Sequence, residues 1–157
     1  KKCINKNEVL KKIKPLLEDP SIKKIGQNIK FDFIVLFKHG INICSMEDTM
    51  LMSYVLDAGK NRHNMDTLSE IHLNHKTISF KDLVGSGKKE INFREVDVEK
   101  AKDYSAEDAD ITYRLYKKFL KSLKDEKMIN IYEVFEKPMI KILAYMEIEG
   151  IKINNEF

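Results

Sequence analysis

The chain has no tryptophan, only two cysteines and three prolines, and few glycines, six in 157 residues. Cys3 and Cys44 make no C-x-x-C pair, so neither a disulfide framework nor a zinc site fits, and both read as reduced thiols. No repeat and no low-complexity segment is present. No run of apolar residues approaches the roughly 20 that a membrane-spanning helix needs, and nothing after Lys1 resembles a signal peptide. Arginine is nearly missing, at 3 against 25 lysines, with 19 isoleucines and 11 asparagines alongside. AT-rich coding explains that bias more simply than selection on a DNA-binding surface, where guanidinium is the better phosphate fork.

What is present fits a soluble globular domain, 43% hydrophobic and 34% charged. A single domain of this length buries roughly 70% of its unfolded surface. The first residue is not Met, so a fragment of a longer chain is expected. Net charge is only +3 but unevenly placed. Residues 1–30 carry nine lysines against Glu8, Glu18 and Asp19, whereas residues 81–110 carry six basic and nine acidic side chains. A basic face can hold a polyanion and an acidic patch can hold cations, although a solvated lysine face explains the first feature equally simply.

Apolar spacing predicts a helix over residues 7–18 with Asn7 as N-cap, ended by Asp19-Pro20. A short strand at 22–26 follows, then a helix from Gln27-Asn28 to Gly40, a second short strand at 41–44 and a helix over 46–59. Asp66 is expected to cap a helix beginning MDTLSEIHLNH, and GSGKKEIN, residues 85–92, to form an exposed loop without the P-loop pattern. Two long helices are expected at about 97–126 and 130–149, with a final IKIN strand after Gly150.

Two spacings carry chemistry. In KDYSAEDADITYRL, Tyr104 and Asp108 stand four apart, so on a helix the phenol and carboxylate share a face. The carboxylate can bind a divalent metal and the phenol can orient a water, while surface polars at a helix start remain the plainer alternative. In GQNIKFD, Asn28 and Asp32 are likewise four apart and follow a strand, where open α/β sheets bind ligands. An N-capping Asn28 with a surface Asp32 is the alternative there. His39, His63, His72 and His75 make no metal-ligand pattern with cysteine, and the last two read as surface residues.

GQNIKFD, EDTMLMSYVLDAGKNRHNMDTLSE, HKTISFKDLVGSGKK and YSAEDADIT, in that order, resemble the 3′–5′ proofreading exonuclease domain of family A DNA polymerases. The similarity runs from Glu8 to Asn154. There N-x-x-x-D is the second exonuclease motif and Y-x-x-x-D the third. The resemblance implies an α/β, ribonuclease-H-like fold, truncated at the N-terminus so that helices dominate. It also implies two-metal hydrolysis by a pair of Mg²⁺ ions about 4 Å apart, with Mn²⁺ as a substitute. Asp108 and Asp32 are then the metal ligands, Tyr104 orients the attacking water and Asn28 supports the site. Gln27, Phe31, Arg62 and Phe80 fall where members of that family contact the single-stranded 3′ end of DNA, although both phenylalanines also suit ordinary core packing.

That family's first motif, Asp-x-Glu on a strand, is expected upstream of Lys1, leaving half the carboxylates outside this sequence. Asp97-Val98-Glu99 has the right spacing but opens a helix, so Asp97 reads as an N-cap and Glu99 as a first-turn acid. Residues 1–128 are expected to form the C-terminal part of the exonuclease domain, and 129–157 a helix and strand connecting to a polymerase domain. An inactive, DNA-binding or structural spacer is the competing reading. The AT bias and the resemblance together imply an apicomplexan plastid (apicoplast) replication polymerase, or else one from the cytoplasm of an AT-rich bacterium.

Overall fold

A computed structural model describes residues 4–87 and 90–154. Cys3 and the Lys88–Lys89 part of the GSGKKEIN loop lie outside the described residues. Helix α1 (Lys6–Glu18) leads through β1 (Lys24–Gly26) to α2 (Ile29–Phe37), then β2 (Met46–Asp48), α3 (Thr49–Asp57), α4 (Met65–Leu73) and α5 (Phe80–Val84). A 3-10 turn (Phe93–Glu95) precedes α6 (Val98–Asp125), and α7 (Ile129–Ile131) passes through a π-helical segment (Tyr132–Glu136) into α8 (Lys137–Glu149). β1 and β2 pair in parallel, with Lys24 opposite Met46 and Gly26 opposite Asp48. The fold is mostly helical around that small sheet.

The second strand lies later than sequence predicts. Ile41 and Ile43 are buried, but residues 41–44 anchor on the end of α1, where the Cys44 N–H donates to the Leu17 carbonyl and the Asn42 N–H to Glu18. Met46–Asp48, expected to open a helix, forms the strand instead. Its Glu47 is buried because Lys137 lies 2.8 Å away and the Tyr132 hydroxyl donates to it at 3.0 Å. No strand forms at 151–154. Caps also shift slightly: Asn5 rather than Asn7 caps α1, and Asn64 rather than Asp66 caps α4. The helix expected over 130–149 carries a π-helical segment ahead of Pro138, whose missing N–H interrupts α-helical bonding, and the Lys137 N–H reaches back to the Tyr132 carbonyl.

Two apolar clusters hold the elements. One gathers Met52 and Leu68 against the stripe Ile111, Leu115, Phe119 and Leu123 of α6, with Tyr132. The other joins Ile29 and Phe33 of α2 to Met46 of β2 and to Ile140 and Ala144 of α8. Every buried residue of α6 lies at or beyond Ile111. The helix is thus clamped by its C-terminal half, and its first three turns carry only half-buried and exposed side chains.

Candidate active site

The strand-to-helix turn after β1 requires glycine, since a Cβ at Gly26 would sit 2.8 Å from the Ile29 Cβ. Asn28 then takes a left-handed backbone (φ 59°, ψ 47°), which asparagine tolerates better than most residues. Its side chain does not cap α2. The cap comes from β2, where Asp48, 1% exposed, accepts the N–H groups of Asn28 at 3.1 Å and Ile29 at 3.0 Å. The same carboxylate also accepts from Met50 and Leu51 at the start of α3. Asn28 therefore acts through its backbone, which turns the first residues of α2 toward the end of β1.

Asp97 caps α6 by accepting from Glu99 and Lys100, so the D-x-E at 97–99 is a helix start and not a metal motif. Two and three turns further on, Tyr104 and Asp108 share a face. A cleft of about 680 Å³ lies between Asp108 and the β1–α2 turn, and its lining includes Lys23, Gln27, Asp32, Asp108, Thr112 and Tyr113 but neither Tyr104 nor Asn28. Asp32 and Asp108, 76 residues apart in sequence, thus meet in one cleft.

Its electrostatics suit a cation. Burial raises the Asp108 carboxyl above the usual carboxylate range, and the negative charges of Glu107 and Asp66 add to that. The neighbouring Tyr104 hydroxyl opposes the rise. Burial, then the Asp108 charge, pushes the Tyr104 phenol up to about 12, so it stays protonated at neutral pH. Burial also raises Asp32, partly offset by a backbone N–H. Among the described residues, no group of three or more His, Cys, Asp or Glu side chains is placed to hold a metal.

Phe31 and Phe80 are 65% and 48% exposed, so neither is a core residue. Phe80 lies beside Tyr104, with ring centroids 6.1 Å apart, while Phe31 projects from α2. Arg62 is exposed and adjoins a residue that is tied down: the Gln27 amide donates to the His63 carbonyl at 2.7 Å, and Ser53 bonds the His63 ring at 2.9 Å. Gln27 also accepts from Thr49, so both ends of its amide have internal partners and it braces the Arg62 loop.

Several participants are not apparent in the sequence. Glu107 accepts from the Ile78 N–H at 2.6 Å and bonds His75 Nε2 at 2.8 Å. Thr77 donates to Asp66 at 2.6 Å, and Ser69 to the His75 carbonyl at 2.8 Å. These contacts stitch residues 75–78 to α4 and α6 just ahead of Phe80. His75 keeps 39% of its side chain accessible, as its spacing suggests, but His72 is not a surface residue. His72 packs edge-on against Phe119 at 4.9 Å, and burial lowers its pKa. The signal missing from the sequence is distance along the chain: Glu107 and His75 are 32 residues apart.

Comparison with known proteins places this geometry in context. A family model described as 3′–5′ exonuclease of A-type DNA polymerases matches residues 1–124. DNA polymerase I of Rhizobium leguminosarum is 44% identical over 149 residues, covering 95% of this chain and 15% of its own. DNA polymerase I of Borreliella burgdorferi is 38% identical over 155 residues, or 98% and 16% of the two chains. The chloroplastic/mitochondrial DNA polymerase I A of Arabidopsis thaliana is 28% identical over 195 residues, or 98% and 19%. The chain thus spans under one fifth of the length of these relatives.

Proposed function

The chain belongs to the 3′–5′ exonuclease family of A-type DNA polymerases, and on that basis we propose that it is the proofreading module of such a polymerase, hydrolysing the 3′-terminal phosphodiester of single-stranded DNA. The observation that carries this reading is the cleft shared by Asp32 and Asp108, with a protonated Tyr104 one helical turn ahead of the latter.

Asp32 and Asp108 are hard oxygen donors of the kind that would hold Mg²⁺ or Mn²⁺, and a bound cation would relieve the like-charge crowding around Asp108. When bound there, the metal supplies Lewis acidity toward the scissile phosphate. The family's Asp-x-Glu motif would supply the remaining ligands. Two observations fit further strands beside β1: it pairs only with β2 among the described residues, and a second cavity of about 360 Å³ lies beside it, lined by Leu17, Ile25, Ile29 and Ile43. Further strands at this edge complete a ribonuclease-H-like sheet.

The chain's own residues do the rest. Tyr104, holding its proton, orients the attacking water by hydrogen bonding. Asn28 sets the backbone turn that carries Asp32. Phe80 and Phe31 stack on the terminal bases, and Arg62, held in place by Gln27 through His63, meets a phosphate. We assign residues 1–128 to the exonuclease module and 129–157 to the connection into a polymerase domain of the same parent chain. The exposed apolar side chains Met146 and Ile151, 63% and 92% accessible, support that continuation. The compartment follows the composition and the family: an apicoplast, or a bacterial cytoplasm.

The test is digestion of a 5′-labelled single strand with Mg²⁺ by the parent polymerase, by its Asp108→Ala variant and by this chain alone. The parent shortens the strand from its 3′ end, and the other two do not. Undiminished digestion by the Asp108→Ala parent overturns the site assignment, and an inactive parent leaves the spacer reading.

A further inference from the structure

Three aromatic rings meet at the free end of α6. Phe80 and Phe93 stack with centroids 5.9 Å apart and planes 19° from parallel. Both rings also face Tyr104, Phe80 at 6.1 Å and Phe93 at 6.3 Å, in tilted or edge-on geometries. Such offset and edge contacts attract beyond the area they bury. Phe93 completes the triangle, touching both the ring assigned to base stacking and the ring whose hydroxyl orients the water.

Its support is unusually firm for a loop residue. The 3-10 turn that carries it is closed by a reciprocal capping box, in which the Arg94 N–H donates to the Asn92 side chain and the Asn92 N–H donates to Glu95. The Ile91 N–H donates to the Val84 carbonyl at 2.8 Å, tying the turn to the end of α5, the helix that Phe80 begins. Yet Phe93 is 40% exposed and belongs to neither apolar cluster, and no residue of the turn is buried. A firmly built turn is thus spent on presenting a half-exposed ring to two site residues.

We infer that Phe93 is a positioning residue of the exonuclease site, holding Phe80 for base stacking and Tyr104 for water orientation at once. This rests on the function proposed above. Because Phe93 braces both rings, its loss affects substrate binding and turnover together, whereas loss of Phe80 acts on binding first.

The test is steady-state digestion of single-stranded DNA by the parent polymerase carrying Phe93→Ala, Phe93→Tyr, Phe80→Ala or both alanine changes, with thermal melts and polymerase activity recorded for each. Phe93→Ala is expected to raise KM several-fold and lower kcat about tenfold, with the melt and polymerisation unchanged. Phe93→Tyr keeps the ring and restores both constants. The double variant still shows the kcat loss beyond that of Phe80→Ala, because the Tyr104 contact is lost independently. Unchanged kcat and KM in a folded Phe93→Ala protein overturn the inference and leave the function intact. A loss of activity that tracks a lowered melt, or that Phe93→Tyr does not rescue, overturns it as well. A wild-type parent without exonuclease activity overturns the function, and the inference with it.

Discussion

Asp48 and Asp108 are both carboxylates that burial pushes above their ordinary range, yet they serve opposite purposes. Asp48 is saturated by four backbone N–H groups, those of Asn28, Ile29, Met50 and Leu51, which close the first turns of α2 and α3. It has no oxygen to spare for a ligand. Asp108 has the Tyr104 hydroxyl beside it and the charges of Glu107 and Asp66 against it. Burial therefore does not mark a functional acid; the balance between donors and repelling charges does. Asp48 holds the fold together, while the role proposed for Asp108 is to meet a cation.

Exchanging the two acids for neutral residues should separate stability from activity. In the parent polymerase, Asp108→Asn is expected to lower exonuclease rate at least about a hundredfold, the scale for removing one electrostatic stabiliser of a reaction. Its urea midpoint should not fall, because the substitution relieves a charge that the site disfavours. Asp48→Ala should do the reverse to stability, costing about 2–4 kcal/mol for two lost helix caps in chemical denaturation. A destabilised Asp108→Asn or a stable Asp48→Ala would erase the distinction.

Two smaller effects sharpen it. Glu107→Gln weakens the bond to His75 and leaves the acceptor for Ile78, so a loss of about 0.5–1.5 kcal/mol is expected, with Phe80 less well held. Hydrogen exchange at residues 75–80 should quicken while that of the α6 core does not. The smallest effect concerns pH. An acid with a raised native pKa binds its proton more tightly folded than unfolded, so its contribution is present at low pH. That contribution is lost as pH rises from the ordinary carboxylate range through the native value. The stability advantage of Asp108→Asn should accordingly be largest at neutral pH and vanish on acidification. An advantage that grows with acid would show that the carboxyl is not raised.

Much of this architecture was legible in the sequence because it is local. Apolar spacing located the longer helices but not α5, Asp97 before the α6 stripe announced its cap, and the four-residue spacing of Tyr104 and Asp108 put them on one face. β2 was misread because its middle residue is a glutamate. Only Lys137 and Tyr132, 90 and 85 residues away, make that charge tolerable inside the protein. The caps of α2 and the bonds of Glu107 were hidden for the same reason, since each joins segments 19 or more residues apart. Whether Phe31 and Phe80 face the core or solvent depends on the surroundings of their helices, which no local pattern records.

The π-helical segment before α8 has a consequence for insertions and deletions. In an ordinary α-helix each residue advances about 100°, so Tyr132 and Lys137 would point roughly 140° apart. Here both reach Glu47, because one surplus residue has been absorbed into the widened turn. Deleting that residue would act like a slipped gear tooth, turning α8 by about 100° and rotating Ile140 and Ala144 out of their contacts with α2. Length variation among homologous chains should therefore avoid Tyr132–Glu136.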